Sequence, residues 1–448
     1  MLQEQTRSKK LFERNRRVIP GGVVSINRLV QPELAFGKGK GSRVYSLDGQ
    51  EFIDYHAAFA AYVLGHNDPD VNRAVRQALD EDLTLMGSGT NEWEGRLAEL
   101  IVQHVASVDK VQLTNTGSEA TFHALRLARA YTGRDGIIVM QGGYNGWHND
   151  VAVNLMTPLD RLGPRVSPGE YPIFPISAGI PANVLENVHA VNFNDVASVE
   201  EVMKKHDIAA VILEPILQNI GVVKPQEGYL QALREVCDKY GALLIFDEVK
   251  TGFRYALGGY QAIAGVRPDL SVFGKAVANG YPMGVIGGRA DIMDYFVHPD
   301  EDKRVMIAGT YNAHPLPTVA AIATIEKLAA DDGAVYRHLE QLGAAMQAGL
   351  ESIFQELGVT ATVCRQGSAF CVYFMDHAPV DWHDLASHHD FKADAEYRQR
   401  LIQRGIYHFP VPVKQGSISY AHTQEDIDRT LEATREVIKS MQDDGFFK

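Results

Sequence analysis

Short apolar runs recur through the middle of the chain and alternate with segments of helical pattern. Within each run the apolar residues are continuous and often β-branched, which is typical of strands covered on both faces of a sheet. Their alternation with helices predicts right-handed βαβ crossovers and an α/β core. Strands are predicted at residues 110–114, 136–140, 209–213, 242–246 and 271–273.

The pattern changes outside this core. Residues 1–19 alternate charged and bulky apolar side chains, which predicts an amphipathic helix that ends at Pro20. Residues 43–54 predict a β-hairpin that turns at an Asp-Gly pair. The segment 154–181 is rich in proline and glycine and predicts a long loop, a kind of segment that is often functional.

A long Ala-rich helical pattern follows Pro315 and leads the chain out of the α/β core. Beyond it, strands near 368–374 and 417–420 indicate a smaller α+β lobe. The pattern therefore predicts an N-terminal segment that joins the small domain (residues 1–65), a large domain (66–324) and a C-terminal small domain (325–448).

Composition narrows the functional classes. A formal net charge of -13 argues against sequence-independent nucleic-acid binding, which needs a basic face. No apolar run approaches the roughly 20 residues that span a bilayer, and the first residues lack the apolar stretch of a signal peptide. Cys237, Cys364 and Cys371 are scattered, so neither a disulfide framework nor a four-cysteine zinc site is expected. We predict a cytoplasmic, acidic enzyme.

Lys275 is the lone charge in an otherwise apolar stretch, residues 271–288. Burial there would disfavour the ammonium form and lower the pKa of the amine. A neutral amine can form a Schiff base with a carbonyl cofactor. The structural alternative is a lysine whose amine reaches solvent from a strand end.

Asp247 ends the strongest buried strand pattern. A carboxylate at that position needs a partner, because isolated buried charge is costly. A protonated pyridine nitrogen would serve, and the pairing would keep the ring cationic and able to accept electrons. The alternatives are a salt bridge to Arg254, or Glu248 as the buried acid.

Two further signals follow strands of the predicted core. Thr116, Gly117 and Ser118 open a helix, where backbone amides and the helix dipole attract a phosphate; the alternative is an ordinary helix cap. Tyr144 follows the strand at 136–140 and could stack on a flat ring or be a core aromatic residue. Ligands of open α/β sheets lie beyond the carboxyl ends of the strands, where all these residues fall. Together they predict pyridoxal 5′-phosphate as the cofactor.

From Pro20 to about Ile427 the chain resembles the class III pyridoxal-phosphate-dependent aminotransferases, on the branch that includes glutamate-1-semialdehyde aminomutase. The resemblance implies fold type I, with a large domain built on a mixed, mostly parallel seven-stranded sheet and a smaller α+β domain. It also implies an obligate homodimer with shared active sites.

The same resemblance implies roles for individual cofactor-binding residues. Lys275, in Phe-Gly-Lys, matches the Schiff-base lysine, and Asp247 matches the partner of the pyridine nitrogen. Val249 matches the residue on the cofactor face opposite Tyr144. The remaining matches are the phosphate cradle Thr116, Gly117 and Ser118, then Thr310, which would reach the phosphate of the other subunit, and Asn219, near the cofactor's phenolic oxygen.

Substrate-binding positions follow from the aminomutase branch alone. Arg28 would hold the substrate carboxylate, and Phe59 falls where that branch has a tryptophan. Lys414 aligns with an acidic residue near the aminomutase substrate, so the charge at that position is reversed. Asn145 also departs from the family, since Tyr-Asn-Gly replaces Tyr-His-Gly.

The predicted activity is transfer of an amino group from an amino acid or amine to a keto acid. The nearest alternative is an aminomutase, in which donor and acceptor are one molecule. A non-catalytic protein that binds the cofactor is disfavoured, because the lysine is present and no DNA-binding element is recognisable.

No metal is expected. His383, His388, His389 and Asp390 form a polar cluster, but their spacing fits no common metal motif. A solvated helix face is the preferred interpretation of that cluster.

Overall fold

The computed structural model of the protein describes residues 6–447. Its strands are β1 Phe36–Lys40, β2 Arg43–Ser46, β3 Glu51–Asp54, β4 Lys110–Thr114, β5 Gly136–Met140, β6 Val188–Val191, β7 Ile208–Leu213, β8 Leu243–Glu248, β9 Leu270–Gly274, β10 Gly284–Gly288, β11 Thr362–Gln366, β12 Ala369–Tyr373, β13 Ile406–Tyr407 and β14 Gly416–Ser417.

The helices are α1 Thr6–Arg16, α2 Ala57–Ala60, α3 Pro69–Asp80, α4 Glu92–His104, α5 Gly117–Thr132, α6 Leu159–Leu162, α7 Ala182–Leu185, α8 Val196–Lys205, α9 Tyr229–Tyr240, α10 Gly259–Ala264, α11 Ala290–Met293, α12 Pro315–Ala329, α13 Ala334–Glu356, α14 Trp382–His388, α15 Phe391–Gln403 and α16 Gln424–Asp443. Within residues 6–447, no helix combines the length and apolar character needed to cross a membrane.

Two compact units divide the chain. The large unit comprises residues 69–336 and 379–388, and the small unit comprises the described parts of 1–68, 337–378 and 389–448. These limits differ from the predicted boundary at 324/325, which falls inside α12. The chain stays in the large unit to Tyr336, whose hydroxyl donates to the carbonyl of Phe253 at 3.0 Å. Residues 379–388 belong to the large unit because Trp382 Nε1 donates to the carbonyl of Thr157 at 2.8 Å.

The large unit is built on a seven-stranded sheet with the order β4-β10-β9-β8-β7-β5-β6. β10 runs antiparallel to both of its neighbours, and the other neighbouring pairs are parallel. Every residue of β5, β7, β8 and β9 is buried, as their continuous apolar patterns predict. The mixed, mostly parallel sheet is therefore confirmed.

The small unit contains two smaller sheets, of strand order β1-β2-β3-β13 and β11-β12-β14. β2 and β3 form the predicted hairpin, and Gly49 has a φ of 85° in its turn. The carboxylate of Asp48, in the same turn, accepts a hydrogen bond from the backbone N–H of Arg7 at 2.7 Å. The hairpin thereby holds the first turn of α1.

Candidate active site

The functional candidates of the large unit gather at one edge of its sheet. β5, β7, β8 and β9 are parallel, so their carboxyl ends lie at the same edge. Tyr144, Glu214, Asp247 and Lys275 follow or end those strands. β4 also ends there, because β10 runs antiparallel to both β4 and β9. This edge is where ligands of α/β sheets bind.

Lys275 follows β9 directly and has a φ of 47°, a left-handed conformation that costs a non-glycine residue about 1–3 kcal/mol. Part of the residue stays accessible while the surroundings of its amine are dehydrated. This desolvation lowers the pKa of the Lys275 amine, against the opposing pull of Asp247 and Glu214. The amine is thus shifted toward the neutral form, as the sequence predicts.

Asp247 is 4% exposed, and each of its carboxylate oxygens accepts a hydrogen bond. Asn145 Nδ2 donates to Oδ2 at 2.9 Å, and the backbone N–H of Val249 donates to Oδ1 at 3.0 Å. Burial raises the pKa of Asp247 to about 6, and the neighbouring Glu214 adds to the rise. The raised pKa means that the neighbouring groups do not fully offset this buried negative charge. A cationic pyridine N–H would offset it, so the site fits the predicted cofactor.

Glu248, the next residue, is also buried, but its carboxylate binds groups of the protein that hold α10. Its carboxylate accepts hydrogen bonds from the hydroxyl of Thr251 at 2.6 Å and from the backbone N–H groups of Tyr260 and Gln261 at 2.8 and 3.0 Å. These amides belong to the first turn of α10, where a carboxylate stabilises the helix end. Glu248 therefore has a structural role.

The turn from β4 into α5 combines a helix cap with an anion cradle. Thr116 Oγ1 accepts the backbone N–H of Glu119 at 3.2 Å, so the alternative, an ordinary helix cap, is also present. The first-turn amides of Gly117 and Ser118 have no partner within an α-helix and can bind a phosphate. A Cβ on Gly117 would lie 2.8 Å from Val249 Cγ2. Only glycine therefore lets this turn pack against Val249.

Hydrogen bonds connect Tyr144 to Glu214, which follows β7, and to Ser118 in the first turn of α5. Its backbone N–H donates to Glu214 Oε1 at 3.0 Å. Burial raises the pKa of its hydroxyl, while a hydrogen bond with Ser118 opposes the rise. Ser118 Oγ also accepts the backbone N–H of Trp147 at 3.3 Å. These bonds position the Tyr144 ring relative to the anion cradle.

Glu214 and Asn145 belong to the site, although the sequence pattern predicts a role for neither residue. Glu214 is 2% exposed, and its carboxylate accepts the amide of Asn219 at 3.0 Å and the backbone N–H of Gln218 at 3.1 Å. Its signal was available, because it follows the buried strand β7 just as Asp247 ends β8. For Asn145, the departure from Tyr-His-Gly shows in the sequence that the position is unusual. The contact of Asn145 with Asp247 is visible only in the structure.

Thr310 is exposed on the segment that precedes α12. Asn115 Nδ2 donates to Asn312 Oδ1 at 3.0 Å, which holds this segment beside the β4–α5 turn of the same chain. The expectation that Thr310 reaches the phosphate of another subunit stays a prediction.

The three predicted substrate-binding residues lie in the small unit. Arg28 and Phe59 line one cavity of about 430 Å³, together with His56 and Phe409. Phe59 has a φ of 61°, in a left-handed turn formed by α2. Lys414 lies between β13 and β14 and is not among the described residues that line this cavity. The substrate roles of all three stay predictions.

The histidine cluster at 383–390 is less solvated than expected. His389 is 6% exposed, and its Nδ1 accepts the backbone N–H of Phe374 at 3.1 Å. His389 Nε2 lies 3.2 Å from the carboxylate of Asp394. His389 is therefore a buried structural residue of the small unit, whereas His388 is exposed.

The raised pKa of Asp247 predicts that the acid destabilises the cofactor-free fold. Its folded-state pKa of about 6 exceeds the ordinary value of 3.8, so between these values the folded chain binds more protons than the unfolded chain. The free energy of unfolding should therefore fall as pH rises through this window. At pH 8 we expect cofactor-free Asp247→Asn to be more stable than the cofactor-free native chain by about 3 kcal/mol, with the difference vanishing below pH 4. Urea unfolding at both pH values measures it, and a native chain as stable as the variant at pH 8 would contradict it.

Comparison with known proteins places these residues in a family. The aminotransferase class-III sequence profile matches residues 25–438. The glutamate-1-semialdehyde 2,1-aminomutase of Natranaerobius thermophilus is 38% identical over 431 residues, which cover 95% of this chain and 96% of that protein.

Two solved structures are similar over nearly the whole chain. An omega-transaminase from Sphaerobacter thermophilus is 31% identical with a TM-score of 0.89, and the match covers 97% of this chain and 98% of that one. A glutamate-1-semialdehyde-aminomutase from Pseudomonas aeruginosa, in complex with PMP, is 26% identical with a TM-score of 0.84, covering 97% and 94% of the two chains. The chain belongs to the class III aminotransferase family and is an enzyme that uses pyridoxal 5′-phosphate.

Proposed function

We propose that this enzyme moves an amino group within one substrate molecule, as a glutamate-1-semialdehyde 2,1-aminomutase does. The observation that carries the proposal is the 38% identity to such an aminomutase over 95% of the chain. The sequence pattern predicts transfer between two molecules, with the aminomutase as the nearest alternative. The similarity to aminomutases favours the reverse order.

Transfer from an amino acid or amine to a separate keto acid is the second candidate. Two observations favour it: an omega-transaminase is 31% identical with a TM-score of 0.89, and Lys414 reverses the charge expected near an aminomutase substrate. Both candidates use the same cofactor residues. They differ in the substrate-binding residues.

Bound pyridoxal phosphate supplies an electron sink that stabilises negative charge at the substrate carbon bearing nitrogen. In both candidates Lys275 Nζ, once neutral, would carry a proton between that carbon and the aldehyde carbon of the cofactor. Asp247 would stay ionised and would keep the ring nitrogen of the cofactor protonated. The amides of Gly117 and Ser118 would bind the phosphate, and Tyr144 and Val249 would hold the two faces of the ring.

In the small unit, Arg28 would bind the substrate carboxylate through two parallel hydrogen bonds. Phe59 would line the substrate, and Lys414 would attract a second negative charge. The cavity that Arg28 shares with Phe59 supports joint action of these two residues.

The two candidates make opposite predictions for glutamate 1-semialdehyde given without a keto acid. An aminomutase forms the isomer that carries the amino group on carbon 1, because no second substrate is needed. An aminotransferase forms product only when pyruvate or 2-oxoglutarate is added together with an amino donor. Chromatography of both reactions decides between them, and product that appears only with a keto acid contradicts the aminomutase proposal.

We also propose a cytoplasmic homodimer with shared active sites. Met86, Met306 and Tyr311 are more than three-fifths exposed, at 73%, 71% and 62%. Met86 and Thr310 line one cavity of about 260 Å³ in the large unit. Tyr311 follows Thr310 in the chain. Exposed apolar side chains at such a place suit a subunit contact. Analytical ultracentrifugation should give about twice the 49.4 kDa chain mass.

A further inference from the structure

A cluster of two histidines and one carboxylate lies beside the last strand in the order of the large sheet. His189 lies on β6, the edge strand, and His206 follows α8 as its C-cap. Glu170 lies in the loop between α6 and α7. Each of the three residues offers one ligand atom, and these atoms all lie within 4.8 Å of one another.

The cluster is held in place by the fold. Tyr171, next to Glu170, donates its backbone N–H to the carbonyl of Ala190 at 2.8 Å, beside His189. Gly169, on the other side of Glu170, donates its backbone N–H to Ser198 Oγ of α8 at 3.0 Å. The loop that carries the carboxylate is thus bonded to both of the elements that carry the imidazoles.

Both imidazoles face the same carboxylate. His189 Nδ1 lies 2.6 Å from Glu170 Oε2, and His206 Nε2 lies 3.4 Å from Glu170 Oε1. The centroids of the His189 and His206 rings lie 4.2 Å apart, a separation at which two protonated imidazoles would repel each other. His189 is 6% exposed. Neutral imidazole nitrogens are good metal ligands.

We propose that Glu170, His189 and His206 bind a divalent zinc ion. Two imidazole nitrogens and one carboxylate oxygen form a ligand set that zinc accepts, with water in the fourth position. Glu170 and His206 have side chains that are 35% and 40% exposed, so the ion can enter from solvent. The 2.6 Å contact opens on binding as Glu170 Oε2 moves from the His189 ring to the metal. The ion joins β6, α8 and the loop between α6 and α7, and therefore stabilises this edge of the sheet.

Calorimetric titration of the pyridoxal-phosphate-loaded enzyme with ZnCl₂ tests the proposal. Because the chain has 16 histidines, the comparison between variants is decisive. We expect His206→Asn to weaken zinc binding at least about tenfold, and Glu170→Gln to do the same. His298→Asn, also in the large unit, should bind zinc like the native chain. Equal zinc affinity in the native chain and His206→Asn would overturn the proposal.

A second readout separates a zinc site from a histidine–carboxylate ion pair. Zinc should raise the thermal unfolding midpoint of the native chain, EDTA should reverse the increase, and His206→Asn should show neither effect. His206 is partly exposed, so its replacement leaves the fold intact even if replacement of the buried His189 does not. An anomalous zinc signal elsewhere on the molecule and none among these three residues would also overturn the proposal.

Discussion

Lys275→Ala should lower the turnover number about 10⁴-fold, the upper range for loss of a positioned acid–base group. The variant removes the one amine that follows β9 and carries a pKa lowered by burial. Steady-state rates with the best available substrate measure the effect. Tight binding of pyridoxal phosphate should be lost as well, since the covalent bond to the protein can no longer form.

The control for this experiment is Lys239→Ala. Lys239 is an exposed lysine of α9 whose Nζ donates to Glu200 at 2.6 Å, so it carries a similar side chain away from the site. Its variant should keep the native rate. A Lys275→Ala enzyme that retains more than a tenth of native turnover would show that another group moves the proton.

Asp247→Asn should lower the turnover number by about 10²–10³-fold, the typical cost of removing one preorganised electrostatic group. The amide cannot hold the ring nitrogen in its protonated form, so the ring draws electrons less strongly. Measured rates and the affinity for pyridoxal phosphate should fall together. The same variant should be the more stable chain without cofactor, which separates loss of function from loss of fold.

Glu248→Gln provides the matched comparison one residue away. Glu248 binds the first turn of α10, so the turnover number of its folded variant should stay near the native value. If both variants lost turnover equally, the division between a cofactor acid and a structural acid at the end of β8 would be wrong.

Much of the α/β core could be predicted from the sequence, because its strands are buried on both faces and leave an unbroken apolar signal. The strands predicted at 110–114 and 136–140 coincide with β4 and β5. β6 carried no clear signal, since it is a four-residue strand that includes His189. The small-unit strands β12 and β14 lie within or overlap the predicted ranges, and Ala369 pairs with Ser417.

The unit boundaries could not be derived from local pattern, since they depend on contacts far apart in the sequence. The hydrogen bond from Trp382 to Thr157 joins positions separated by 225 residues and draws α14 into the large unit. Nothing in the composition of residues 379–388 indicates that contact.

The candidate site shows the same difference between residues that local pattern predicts and residues that depend on distant contacts. Lys275 and Asp247 could be predicted because a charged side chain at a buried strand costs free energy unless it has a partner or a function. The part played by Asn145 depends on its 2.9 Å contact with Asp247, across 102 positions of sequence. Glu214 also follows a buried strand. Its place in the site depends on the three groups that donate hydrogen bonds to its carboxylate.

The central claim is that Lys275 bonds covalently to pyridoxal phosphate. Borohydride reduction of the cofactor-loaded enzyme, followed by proteolysis and peptide mass spectrometry, tests it most directly. We predict a reduced phosphopyridoxyl group on the peptide that contains Lys275, at close to one per chain. A label on another lysine, or an unlabelled Lys275 peptide from fully loaded enzyme, would contradict the account.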